Sequence, residues 1–193
     1  MSLIELMIGI AIVAILFLAA APSFSTWIQQ GQIRTAAEAV QNGLMLARSE
    51  GVRRNALVRF QLTDTLDNSC SISTSGTNWV VSMDDPSSLC ASTPTADTTA
   101  TAPRIIRTRP SQEGSKNALV AAAPQALIVF NGLGRVTPVP AGNIDINVTN
   151  PIGGDCVTAG GPMRCMRIRI SPGGQIRMCD PQWPATDPQG CPP

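Results

Sequence analysis

Apolar and polar residues divide the chain into three regimes. From Leu6 to Ile33 no side chain is charged, and Leu6 to Ala21 is unbroken apolar sequence apart from Gly9. At about 1.5 Å per residue that run spans about 24 Å, and its continuation to Ile28 reaches the roughly 30 Å of a hydrocarbon core. The pattern predicts an apolar, membrane-length helix over residues 1–28. Beyond it Ile33, Ala37, Val40, Leu44, Ala47 and Gly51 recur every three or four positions, with Arg34, Glu38, Gln41, Asn42, Arg48 and Glu50 between them. That is an amphipathic helix, continuous with the first. One helix of about 75 Å results, half in a membrane and half packed on a domain. Pro22 removes a backbone hydrogen bond and is expected to kink it. Arg53-Arg54-Asn55 ends it.

The third regime is short and alternating. Strands are expected at Ala56–Leu62, Trp79–Met83, Ile105–Thr108, Leu127–Phe130, Arg135–Thr137, Ile144–Val148, Cys165–Ile170 and Gln175–Cys179. In the seventh, Met166, Ile168 and Ile170 face a core while Arg167 and Arg169 face water. Pro86 to Pro103 lacks periodicity and reads as a surface excursion, and 180–193, with five prolines, reads as a loop. The expected fold is α+β: one long N-terminal helix whose second half packs on an antiparallel sheet. The division is 1–28, a helix half outside the domain, and 29–193, a globular domain.

Composition narrows the chemistry. The 193 residues carry a net charge of +1 and contain no His and no Tyr. The commonest general base and zinc ligand are therefore missing, and no G-x-S-x-G motif marks a nucleophile. No catalytic residue, cofactor or metal site is nominated, and a non-enzymatic role is expected. Asp64 with Asp67, and Asp84 with Asp85, lack the spacing of a calcium loop and read as turn residues. Six cysteines at 70, 90, 156, 165, 179 and 191 include no CxxC pair, so disulfides in an oxidising compartment are expected. Fifteen pairings exist and the sequence does not choose among them; local loops would join Cys70–Cys90, Cys156–Cys165 and Cys179–Cys191. Glu5 is anomalous, since a carboxylate in an apolar helix costs about 2.5–3.5 kcal/mol without a partner. Either it reaches interfacial water or it meets a cation. No basic stretch precedes the apolar run, unlike a secretory signal peptide.

The opening Met1-Ser2-Leu3-Ile4-Glu5-Leu6-Met7-Ile8-Gly9 resembles the start of a mature type IV pilin or type II secretion pseudopilin. The globular half is similar to the FimT/FimU and GspH group of minor pilins and pseudopilins. The similarity rests on Gln41 to Glu50 with Arg53-Arg54-Asn55, on Phe130-Asn131-Gly132-Leu133-Gly134, and on Gly174 to Cys179. The resemblance implies a processed chain whose first residue, Met1, is N-methylated, and a Glu5 that meets the N-terminal amine of a neighbouring subunit. It implies a bacterial inner-membrane protein with a periplasmic domain that later joins an extracellular pilus. Its partners would be other minor and major pilins and the inner-membrane assembly platform. A minor pilin that initiates or caps a pilus is the expected function, with a type II secretion pseudopilin as the alternative.

Four cations, Arg164, Arg167, Arg169 and Arg177, fall in a stretch free of acids between Asp155 and Asp180. On neighbouring strands they would form a stripe suited to phosphate oxygens. Some relatives resembling this chain bind DNA in uptake through a G-R-x-R motif; here Gly174-Gln175-Ile176-Arg177 lacks the first Arg. DNA contact is therefore weighed below a solvated or subunit-facing surface.

Overall fold

A computed structural model describes residues 2–95, 103–111, 113, 117–122 and 125–191, with backbone alone for 17–23. Helix α1 runs unbroken from Leu3 to Arg54, 52 residues, or about 78 Å. Its start is a capping box: Ser2 Oγ accepts from the Glu5 N–H and the Glu5 carboxylate accepts from the Ser2 N–H, both at 3.4 Å. It stops at Asn55, which takes the left-handed conformation that Asn tolerates, and the Ala56 N–H returns to the Gly51 carbonyl at 3.2 Å. Glu50 accepts from Arg53 and Arg54 in the last turn, where cations suit the helix dipole.

Among the described residues eight strands follow: β1 Val58–Thr63, β2 Asn78–Ser82, β3 Ile105–Arg109, β4 Leu119–Ala121, β5 Leu127–Phe130, β6 Ile144–Thr149, β7 Met166–Ile170 and β8 Ile176–Cys179. They form two antiparallel four-stranded sheets, ordered β3-β2-β1-β5 and β4-β6-β7-β8. The main core lies between the second half of α1 and both sheets. Ile33, Ala37, Val40, Leu44 and Ala47 meet Phe60, Leu62, Trp79 and Phe130 of the first sheet and Ile146, Ile168 and Ile170 of the second. Each large apolar side chain so buried contributes about 1.5–3 kcal/mol. The outer face of the first sheet has its own small cluster, Val80 and Ile105 beneath Cys70 and Cys90. Bridges join Cys70 to Cys90, Cys156 to Cys165 and Cys179 to Cys191.

Several expectations need correction. Arg135–Thr137 is not a strand. Gly134 and Pro138 bracket it, and its backbone bonds scatter: Val136 bridges Phe130 and donates to the Pro172 carbonyl, the Arg135 carbonyl accepts from the Asn131 N–H, and the Thr137 N–H donates to the Val129 carbonyl. Strand β4 was not foreseen, because Leu119-Val120-Ala121 is short and flanked by alanines; pairing with β6 makes it a strand. The single expected sheet is two. Among the described residues no helix is long and apolar enough to cross a membrane; the apolar run of the sequence continues through 17–23, whose side chains lie outside the described residues. The modification at Met1 also lies outside them, while at Pro22, the expected site of a kink, the described backbone is helical.

Candidate assembly surfaces

The first half of α1 stands clear of the domain. Leu3, Ile4, Ile8, Ile12 and Ile15 are 55–79% exposed, although nothing in their chemistry favours water. Glu5 is exposed at the start of this bare segment and is occupied locally by the capping box. The signal for that role, Ser2-x-x-Glu5 ahead of an apolar run, is legible in the sequence. Phe24 and Trp27 farther along α1 are exposed as well, and their rings pack at 6.0 Å.

Arg167, Arg169 and Arg177 do share one face of the second sheet, as the alternation of β7 and β8 requires, and Arg169 pairs directly across from Arg177. The neighbouring strand changes their electrostatics. Asp145 on β6 lies opposite Arg169 and accepts from its Nε and Nη2, each at 2.7 Å. Arg167 Nη1 lies 3.4 Å from the same carboxylate, and Arg167 Nε donates to Asn147 Oδ1 at 2.8 Å. Hydrogen bonds from Arg169, opposed by burial, hold the Asp145 carboxyl below its ordinary range. Arg164 sits apart, donating to Asp180 at 3.2 Å with its guanidinium 5.9 Å from the Trp183 ring centre. Two carboxylates thus offset much of the cluster's charge. Arg177, exposed, has no carboxylate partner among the described residues. Sequence reading missed Asp145 and Asp180 because strand pairing, not spacing, brings them in.

A groove of about 940 Å³ opens where α1 enters the domain. Trp27, Ile28 and Gly31 form one wall, Met166 and Met178 the other, and Pro188 lies in the C-terminal loop. The Cys179–Cys191 bridge and the Asp180 N–H bond to the Gln189 carbonyl fix that loop at the end of β8.

Three sequence motifs meet at the other end of the molecule. Arg48 Nε donates to the Gly134 carbonyl at 3.2 Å. Gly134 and Gly174 have φ of 71° and 82°, a region open to glycine, and a Cβ on Gly174 would overlap the Gly134 carbonyl. This joint ties helix to both sheets, a structural role. The aspartates act in turns: Asp64 accepts from the Thr65 and Ser71 N–H groups, Asp67 from the Ser69 N–H, and Asp85 from the Ser87 N–H. Asp84 instead pairs in fork geometry with Arg104, both contacts at 2.7 Å.

The family of the type II transport protein GspH matches residues 36–174. The chain belongs to that family. This GspH-family chain is also similar to two crystal structures of the type IV minor pilin FimU of Pseudomonas aeruginosa. One, in space group P21, is 16% identical with a TM-score of 0.51, covering 86% of this chain and 98% of that one. The other, in space group P65, is 17% identical with a TM-score of 0.47, covering 82% and 98%. No curated protein sequence matches the chain. The P21 likeness, at that identity, establishes the fold: a GspH-family, pilin-like domain built on a long N-terminal helix.

Proposed function

We propose that this chain is a minor pilin of a type IV pilus, a structural subunit that helps initiate or cap the filament near its tip. One observation carries the reading. The first half of α1 is an apolar rod outside the domain, with a single carboxylate near its start. A helix apolar on all sides is stable only in a bilayer or in a bundle of like helices, and a subunit that moves from one to the other uses both. The inner membrane holds it before assembly, with the domain in the periplasm where its three disulfides persist. In the filament, its partners are other pilins, handed over by the inner-membrane platform. Glu5 then leaves its capping box for the amine of a neighbouring subunit, the N-methylated Met1. Being named a minor pilin, the similar P21 structure supports a minor position over a bulk one. The description of the matched family favours a second reading, a pseudopilin of type II secretion.

Deletion of the gene separates the two readings: loss of surface pili with normal export of secreted enzymes is expected, and the reverse outcome would assign the chain to secretion. Glu5→Ala should leave membrane fractionation unchanged while lowering incorporation into sheared filaments about tenfold, the order expected for about 1.4 kcal/mol of lost pairing. Wild-type incorporation of the variant would refute the role of Glu5. DNA contact in uptake receives less support, since Asp145 already occupies Arg167 and Arg169.

A further inference from the structure

We infer that the free edge of β8, with the groove beside it, receives an extended segment of a neighbouring subunit as an added strand of the second sheet. The inference rests on the filament reading above. Sheet edges attract strands because their outward N–H and C=O groups lack partners, and proteins ordinarily cover them. Among the described residues, three of the four sheet edges are at least partly covered. The Gly76 N–H donates to the Val120 carbonyl and the Ala122 N–H to the Thr74 carbonyl, closing β4. The Thr137 N–H donates to the Val129 carbonyl beside β5, and the Thr95 N–H to the Ile105 carbonyl beside β3.

Along β8 itself the edge differs: the C-terminal loop meets it only past the strand's end, where the Asp180 N–H donates to the Gln189 carbonyl. The Ser171 N–H bonds to the Gln175 carbonyl, and antiparallel alternation then directs the backbone of Arg177 and Cys179 toward β7 and that of Ile176 and Met178 outward. Among the described residues no hydrogen-bond partner meets those outward groups. Met178 lines the groove, which Trp27, Ile28 and Gly31 of α1 wall on its far side. The groove also adjoins the exposed Phe24 and Trp27, a face that assembly itself must cover.

Side-chain chemistry defines the segment. Residues of alternate parity point into the groove against Trp27, Ile28 and Met178, so they are apolar. The others lie on the outer face beside Arg177. Across that face the row runs Asp145, Arg169, Arg177, and the next position calls for a carboxylate. The partner segment therefore alternates apolar residues with at least one Asp or Glu, and has no proline where a main-chain N–H must donate.

Hydrogen exchange at single-amide resolution tests this on the full chain, alone in detergent and in complex with the co-purified subunits of its own filament. Assembly should slow exchange at Ile176 and Met178 on the order of 100-fold, while Arg177 and Cys179 are protected in both states. Met178→Pro deletes an outward N–H and leaves the β7 ladder whole, and should abolish the gain at Ile176. Should Met178→Pro fail to fold, Arg177→Glu supplies the second variant: its solvent-facing position keeps the fold, and docking should weaken about tenfold. Incorporation into the complex with Ile176 and Met178 still exchanging freely would overturn the inference while sparing the pilin reading. Absence from any filament complex would remove both. Loss of duplex-DNA binding in Arg177→Glu with unchanged amide protection would assign Arg177 to phosphate and also overturn it.

Discussion

Gly43 lies in the helix motif Gln41 to Glu50, and its replacement measures how closely helix and sheet approach. A Cβ built at Gly43 meets Phe60 Cε2 at 2.7 Å and two atoms of the Trp79 ring at 3.1 Å. Both rings are buried and pack against each other at 5.7 Å. Neither is the free end of a flexible side chain, so α1 or the pair of rings must move. Overpacking of this kind costs about 1–3 kcal/mol. Gly→Ala inside a helix also gains about 1 kcal/mol from backbone propensity, which obscures the cost in a single measurement. Gly31 provides the control. It too lies within α1, and a Cβ there meets nothing within 4 Å. Gly31→Ala should therefore stabilise by about 1 kcal/mol, and the difference between the two variants isolates the packing term at about 1–3 kcal/mol. Thermal unfolding of the full chain in a neutral detergent, followed by near-ultraviolet circular dichroism of the Trp79 environment, reads it. At roughly 2–4 °C per kcal/mol for a domain of this size, Gly43→Ala should melt about 2–12 °C below Gly31→Ala. Equal melting temperatures, or a higher one for Gly43→Ala, would refute the argument that close approach requires glycine here.

Other perturbations have expected outcomes of their own. The Asp84 carboxyl is lowered to about 2 chiefly by its hydrogen bonds from Arg104. A depressed carboxylate stabilises the fold above its unfolded value, and that contribution is lost as pH falls from about 4 toward 2. Asp84→Asn should accordingly cost about 1–2 kcal/mol at pH 7 in urea titrations and almost nothing at pH 2; a pH-independent difference would dismiss the ion pair as its cause. Replacing Cys179 and Cys191 together by Ser opens a loop of sequence separation 12 and should cost about 3 kcal/mol, visible as a fall in Tm of about 6–12 °C. An unchanged Tm would show that the proline-rich tail needs no anchor. Duplex-DNA binding, measured by anisotropy between 50 and 200 mM salt as general test conditions, should show a log–log slope no steeper than about −0.9, the contribution of Arg177 alone. A slope near −2.7, lost when Arg167, Arg169 and Arg177 are all replaced, would restore the phosphate stripe.

Local chemistry makes the long helix legible in the sequence. The apolar run, the three-and-four spacing from Ile33 to Gly51 and the left-handed tolerance of Asn55 each act within a few residues, and the buried face of α1 follows that spacing. The alternation of β7 likewise placed Arg167 and Arg169 on one face, since side-chain direction has period two whatever the partner strand. Partner identity is where local reading ends. Asp145 lies more than twenty residues from Arg169 in sequence and is joined to it only by the β6–β7 register, so an apparently cationic stripe is partly neutral. Leu119–Ala121 has too little intrinsic preference to be a strand by itself and becomes one through its ladder to β6. Arg135–Thr137 has a suitable pattern but forms only an isolated bridge, because its Val136 N–H turns to the distant Pro172 carbonyl while Thr137 turns to Val129. The division into two sheets, the Arg48–Gly134–Gly174 joint and the groove at the free edge of β8 are properties of how distant segments meet. Each depends on contacts whose energy exists only after the chain has closed on itself, and tertiary structure alone decided them.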